Sequence, residues 1–137
     1  MLKTTSEMRD IPEIMELSEM DAVFYLTGSR YFGTARTRSD WDFFTNDPGV
    51  GERLLDAGWQ TVAADTHYLD TAYGKGRVHV QVVQDAARKR RVQMYLYRVL
   101  RLGRLPKEQA KALWSVVDNL IEVIEWKEKY GQTQRTE

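Results

Sequence analysis

Two aspartates two residues apart, Asp40 and Asp42, stand ten residues after a Gly28-Ser29 pair. Each element has a recognisable chemistry. A glycine at the end of an apolar run lets backbone approach a ligand closely. The amides and the serine hydroxyl beside it can hold phosphate oxygens. Two carboxylates on one face repel each other and persist mostly where a cation sits between them. Their oxygens are the hard donors that Mg²⁺, or Mn²⁺ in its place, takes while also holding substrate phosphates. A phosphate holder beside paired carboxylates is what metal-assisted nucleotidyl transfer requires.

These residues need two strands to position them. The apolar run Ala22–Leu26 predicts a first strand over roughly 22–27, and Trp41-Asp42-Phe43-Phe44-Thr45 predicts a second over 41–45. Alternation puts Asp40 and Asp42 on one side, with Trp41 and Phe43 on the other as core residues. The stretch 28–39 reads as a loop in which Arg30–Gly33 can begin a helical turn. Upstream, residues 10–20 predict a short helix capped by Asp10. Downstream, a helix over about 49–57 is capped by Asn46 or Asp47 and ended by Gly58, and a strand follows at 59–62. Tyr68–Tyr73 and Arg77–Gln84 predict a hairpin around Gly74-Lys75-Gly76. Its second arm sets Val78, Val80 and Val82 against His79 and Gln81. Two helices close the chain. The first spans 86–102 with Val92, Tyr95 or Leu96, and Val99 inward. The second spans 106–129 with Leu113, Trp114, Val117, Leu120 or Ile121, and Ile124 inward, and 131–137 is a polar tail. The order predicts one α/β (α+β) domain over 1–137, a small mixed sheet with helices packed on one side.

Composition bounds the class. At 137 residues and 42% hydrophobic content the chain is globular, and its lack of cysteine excludes disulfide and thiolate-metal frameworks. No run approaches a membrane span, the N-terminus lacks a signal-peptide core, and a cytoplasmic location is expected. The net charge is zero but uneven: residues 1–21 are acidic and 88–111 strongly basic. That asymmetry points to a solvated face, a polyanion such as RNA, or an acidic helix of this chain or a partner.

Gly28-Ser29, ten residues, then Asp40-Trp41-Asp42 resembles the signature of the DNA polymerase β-type nucleotidyltransferase superfamily. Arg30, Gly33, Thr34, Ala35, Arg36 and Ser39 resemble the loop of its minimal (MNT-type) members. The resemblance implies a nucleotidyltransferase-like fold and transfer of a nucleotide from an NTP to a hydroxyl on a protein, RNA or small molecule. Gly28 and Ser29 would hold the phosphates, with Arg30 beside them, and Asp40 and Asp42 would bind the metal. Members of this size often pair with a helical toxin, and some transfer AMP to a tyrosine of it. A protein partner or a homodimer through the terminal helices is therefore a further expectation. The family usually places a third carboxylate on a neighbouring strand. Here the strand 77–83 offers His79 and Gln81 instead, with Asp65 or Asp70 as substitutes under another strand assignment. A catalytically weak or inactive nucleotide-binding regulator or antitoxin-like partner is the alternative.

Overall fold

The computed structural model describes residues 2–33, 35–63, 70–100 and 107–135. Their contacts divide the chain into two compact units, Met1–Ala86 and Ala87–Glu137. The first is a mixed α/β unit built on a five-stranded sheet. Its elements are α1 (Ser6–Arg9), α2 (Pro12–Ser18), β1 (Tyr25–Thr27), α3 (Gly28–Phe32), β2 (Trp41–Thr45), α4 (Val50–Asp56), β3 (Gln60–Val62), β4 (Thr71–Lys75) and β5 (Val78–Val82). The strand order is β1-β2-β5-β4-β3. The central β2–β5 pair is parallel, and every other pairing is antiparallel.

Alternation separates the two faces of the sheet. Leu26, Phe43, Val80 and Tyr73 are ladder partners across four strands. They belong to a core with Ile14, Leu17, Val50 and Leu54, so α2 and α4 cover this face. Phe43, Phe44, Val78 and Val80 are fully buried, and Trp41 nearly so. Trp41 and Phe43 are therefore core, as alternation requires, whereas Phe44 falls on the Asp42 side and is buried separately with Val83 and Ala86. A Schellman motif ends α4: Trp59 N–H donates to Leu54 O at 3.0 Å and Gly58 N–H to Leu55 O at 3.1 Å, with Gly58 at φ +91°.

Three boundaries differ from the sequence reading, each for a local reason. The helix expected over 10–20 is α2, confined to Pro12–Ser18, and a separate short helix, α1, precedes it at Ser6–Arg9; Ile11 between them is extended (φ −112°, ψ 106°). Proline disfavours helical backbone in the residue before it and suits a first turn, so Pro12 starts a new helix and Asp10 closes the previous one. Thr5, not Asp10, supplies the side-chain cap, accepting from Met8 N–H at 3.3 Å. The first strand is confined to Tyr25–Thr27.

The second unit contains α5 (Ala86–Leu100, begun at the edge of the first unit) and α6 (Lys107–Arg135). The polar tail expected from 131 is helical to Arg135. Gly131 costs a helix only about 1 kcal/mol and the glutamines that follow are good helix formers. The basic charge of α5 is met by α6. Arg88 bonds Asp118 through both its side chain (2.9 Å) and its carbonyl, Arg91 meets Glu125 at 2.7 Å, and Arg98 meets Glu128 at 3.6 Å. Helix α6 itself has five acids and five bases, but its Asp118, Glu125 and Glu128 are the partners of the α5 arginines. Leu96 and Ile121 are buried, whereas Leu120 is exposed. No helix among the described residues is long and apolar enough to cross a membrane.

Tyr95 Oη donates to Glu128 Oε2 at 2.7 Å, and this bond to a carboxylate pushes its pKa up from 10.0 to about 12. The protonated phenol is thus favoured in the folded state. Its contribution to the helical pair is complete below pH 10 and is lost as pH rises through about 12. Ultraviolet titration should show one of the seven tyrosines ionising late, and Tyr95→Phe should remove that late step. An unchanged titration in the variant would refute the assignment.

Candidate functional site

The site lies on the sheet face opposite the α2–α4 core. Ladder pairing sets Thr27 against Asp42, Asp42 against His79, His79 against Gly74 and Gly74 against Gln60. One row thus crosses all five strands with its side chains on one side. Asp40, two residues before Asp42, projects the same way. His79 Nδ1 lies 3.5 Å from Asp42 Oδ1 and 3.9 Å from Asp40 Oδ2. The two carboxylates therefore do share a face, and the residue that meets them is a histidine. All three side chains are partly exposed, Asp40 the most at 52%.

Two glycines shape this row. Gly28 has φ +70°, and a Cβ there would stand 2.5 Å from Asp42 Oδ2. The missing side chain lets the Asp42 carboxylate lie against the backbone where β1 turns into α3. Ser29 follows in the first turn of α3. At Gly74 a Cβ would meet His79 Cδ2 at 2.9 Å, so the imidazole lies down over the β4 backbone with Nδ1 toward the aspartates. Gly28→Ala should be among the most damaging small substitutions. Positive φ costs a non-glycine residue about 1–2 kcal/mol, and the new methyl must also displace Asp42. Thermal melting and cation titration check this: a lower melting temperature with unaltered cation binding would disprove the link to Asp42.

The remaining candidates are placed differently. Gln81 faces the same way as His79 but pairs with Phe44 and Ala72, one step farther along the sheet. Arg30 is only 10% exposed and works on the loop. Its guanidinium donates to Thr37 O at 3.2 Å and Ser39 O at 3.0 Å, meets Glu7 at 3.3 Å, and stacks 4.5 Å above the Trp41 ring. Arg77 donates to the same Thr37 carbonyl at 3.0 Å. These contacts anchor the segment that delivers Asp40, a role sequence reasoning missed because its partners are backbone carbonyls and a distant glutamate. Asp70 accepts from Gln84 N–H at 3.1 Å, joining the chain ends that flank β4 and β5. Asp65 lies outside the described residues.

An open cavity of about 370 Å³, lined by Gln60, Val62, Gly74, Lys75 and His79, adjoins the imidazole. A second, about 330 Å³, lies at the far end of the β1–β2 pair beside Val23, Thr45 and Asp47, away from the carboxylates. Among the described residues, no three or more His, Asp or Glu side chains already group as a metal site. Asp40, Asp42 and His79 are set with the imidazole edge toward the carboxylates. Their donor chemistry still fits a divalent cation: two hard carboxylates for Mg²⁺, plus an imidazole that Mn²⁺ also accepts. The Gly28 cradle brings Asp42 against the backbone of the β1–α3 turn. Comparison with protein-family models, curated proteins and solved structures gives no match.

Proposed function

We propose that this chain is a metal-dependent nucleotidyltransferase, moving a nucleotide from an NTP to an acceptor hydroxyl on a protein, RNA or small molecule. The observation that carries the reading is the row itself. Asp40 and Asp42 meet His79 on one sheet face, with Gly28 against Asp42 and Ser29 next in the chain. The resemblance of residues 22–45 to the DNA polymerase β-type superfamily supports it.

In this proposal Ser29 and the adjoining amides hold phosphate oxygens, and Asp40 and Asp42 hold Mg²⁺ or Mn²⁺. When bound, the cation offsets the triphosphate charge and stabilises the departing pyrophosphate. The acceptor oxygen forms a bond to the α-phosphorus as the bond from that phosphorus to the β-phosphate oxygen breaks. The hydroxyl proton passes to a base, and the open cavity beside His79 suits the acceptor, which makes His79 the nearest side chain to receive it. Arg30 acts at one remove by anchoring the Asp40 loop. We place the activity in the cytoplasm, where a cysteine-free chain and NTP chemistry both belong.

The identity of the residue opposite Asp42 favours a second reading. It is His79, not a carboxylate, and a site with one negative charge fewer holds a second cation weakly. A nucleotide-binding regulator or antitoxin-like partner with little turnover is the corresponding alternative. Incubation with α-labelled NTPs, Mg²⁺ or Mn²⁺ and a panel of acceptors separates the two. Label transfer that disappears in Asp40→Ala/Asp42→Ala supports the enzyme. Calorimetric nucleotide binding with no transfer supports the regulator, and transfer that persists in the double variant rejects the assigned site.

A further inference from the structure

The second unit carries an apolar surface that neither its own packing nor the proposed activity uses. Helix α6 is 29 residues long, about 43 Å. Its acidic residues Asp118, Glu125 and Glu128 engage α5 through Arg88, Arg91, Tyr95 and Arg98. At 100° per residue, these positions define the α5-facing side of α6. Val116, Val123 and Tyr130 lie on the opposite side, seven residues apart, with Ala112, Asn119 and Trp126 four residues before each. All six are exposed. Val116, Val123, Trp126 and Tyr130 are each 44–52% exposed, and Leu120 beside them 46%. The alternating three- and four-residue spacing runs through Ala112, Val116, Asn119, Val123, Trp126 and Tyr130 without interruption. This is the a/d spacing of a coiled coil, with Val116, Val123 and Tyr130 at a and Ala112, Asn119 and Trp126 at d. Val116, Leu120, Val123, Trp126 and Tyr130 give this helix face an exposed apolar stripe, a mark of an interaction surface.

We propose that this seam is covered by the α6 of a second copy of the same chain, in a parallel, in-register two-helix pairing. Three features favour that occupant. The helix repeats its own spacing, so an identical helix is automatically in phase with it. Val116 and Val123 supply the β-branched a residues that two-stranded parallel coiled coils use. In heptad register Glu122 falls at g and Lys127 at e, so a parallel pair sets Glu122 of each copy against Lys127 of the other, twice by symmetry. Glu122 is 87% exposed and only 3.6 Å from Arg88, within reach of both partners. A buried Asn119 pair would fix the register, because shifting it would strand each amide against apolar groups. The inference stands apart from the proposed activity: it uses no residue of the first unit.

Sedimentation of the full chain over about 1–100 µM tests it. The expected result is a dimer that Val123→Glu converts to monomer, with the circular dichroism spectrum unchanged. The absence of cysteine allows a second, geometric test. In a parallel in-register pair the two copies of residue 119 face each other, so Asn119→Cys should form a covalent dimer under mild oxidation. Lys111→Cys, off the seam, should not. A chain that stays monomeric to 100 µM, or a dimer that survives Val123→Glu, overturns the proposal. Cross-linking at Lys111 but not at Asn119 also overturns it.

Discussion

Replacing Asp42 with alanine is expected to reduce nucleotide transfer by at least about 10²–10³-fold, the usual cost of removing one group that stabilises transition-state charge. The fold should barely notice. Asp42 is partly exposed, it stands beside another carboxylate, and surface substitutions of this kind usually fall within about 0.5 kcal/mol. The separation of effects is the informative part. A cation that binds only the folded chain raises stability by about 2.7 kcal/mol at a hundred times its dissociation constant. Wild-type protein should therefore melt higher as Mn²⁺ is added, and Asp42→Ala should not. Differential scanning fluorimetry with and without Mn²⁺, alongside the transfer assay, measures both. A variant that keeps the Mn²⁺-dependent rise shows that the cation is held elsewhere.

Phe43→Ala should have the opposite profile, a large loss of stability. Phe43 is fully buried in β2, the strand between β1 and β5, and belongs to the core with Val80, Leu54 and Leu17. Deleting a buried phenylalanine side chain costs about 3–5 kcal/mol, a large share of the 5–15 kcal/mol that holds a typical domain together. Urea unfolding followed by tryptophan fluorescence should show a midpoint well below wild type at similar slope. A change under about 1 kcal/mol would mean that the β2 core tolerates a cavity that its packing does not suggest. Because Phe43 shares its strand with Asp42, the variant should also bind cations less well in proportion to its unfolded fraction.

The second strand was legible at its full length. The apolar, aromatic-rich run and the Asn46-Asp47-Pro48-Gly49 stop mark 41–45 without tertiary information, and all but Asp42 in that strand are buried. The shared face of Asp40 and Asp42 follows from strand alternation. The choice between His79 and Gln81 does not, because both sit on one face and only the β2–β5 register puts His79 against Asp42 and Gln81 against Phe44. Register between strands so far apart in the chain is set by the packed sheet, and no local signal encodes it. Arg30 was legible as a cation near the loop but not as its anchor. Pro12 marks the first turn of α2 from sequence alone, whereas the four-residue α1 before it is too short to show an apolar period. The basic charge of α5 is visible in the sequence, while its pairing with Asp118, Glu125 and Glu128 of the charge-balanced α6 depends on which helices become neighbours.

The parallel pairing of β2 with β5 has a consequence for the order in which the protein becomes competent. Asp42 and His79 are ladder partners, yet 37 positions separate them in the sequence (42 against 79). A parallel pair cannot close through a tight turn, and contacts so distant along the chain form slowly. The stretch 22–45, which carries the glycine, the serine and both aspartates, is thus inert as it leaves the ribosome. It acquires its third member only when β5 inserts between β2 and β4. In a refolding experiment the cation-binding signal should trail the appearance of helix, and a signal that rises with the helix would contradict this timing. Under the proposed function, a chain that ends before β5 lacks His79 and should not transfer a nucleotide.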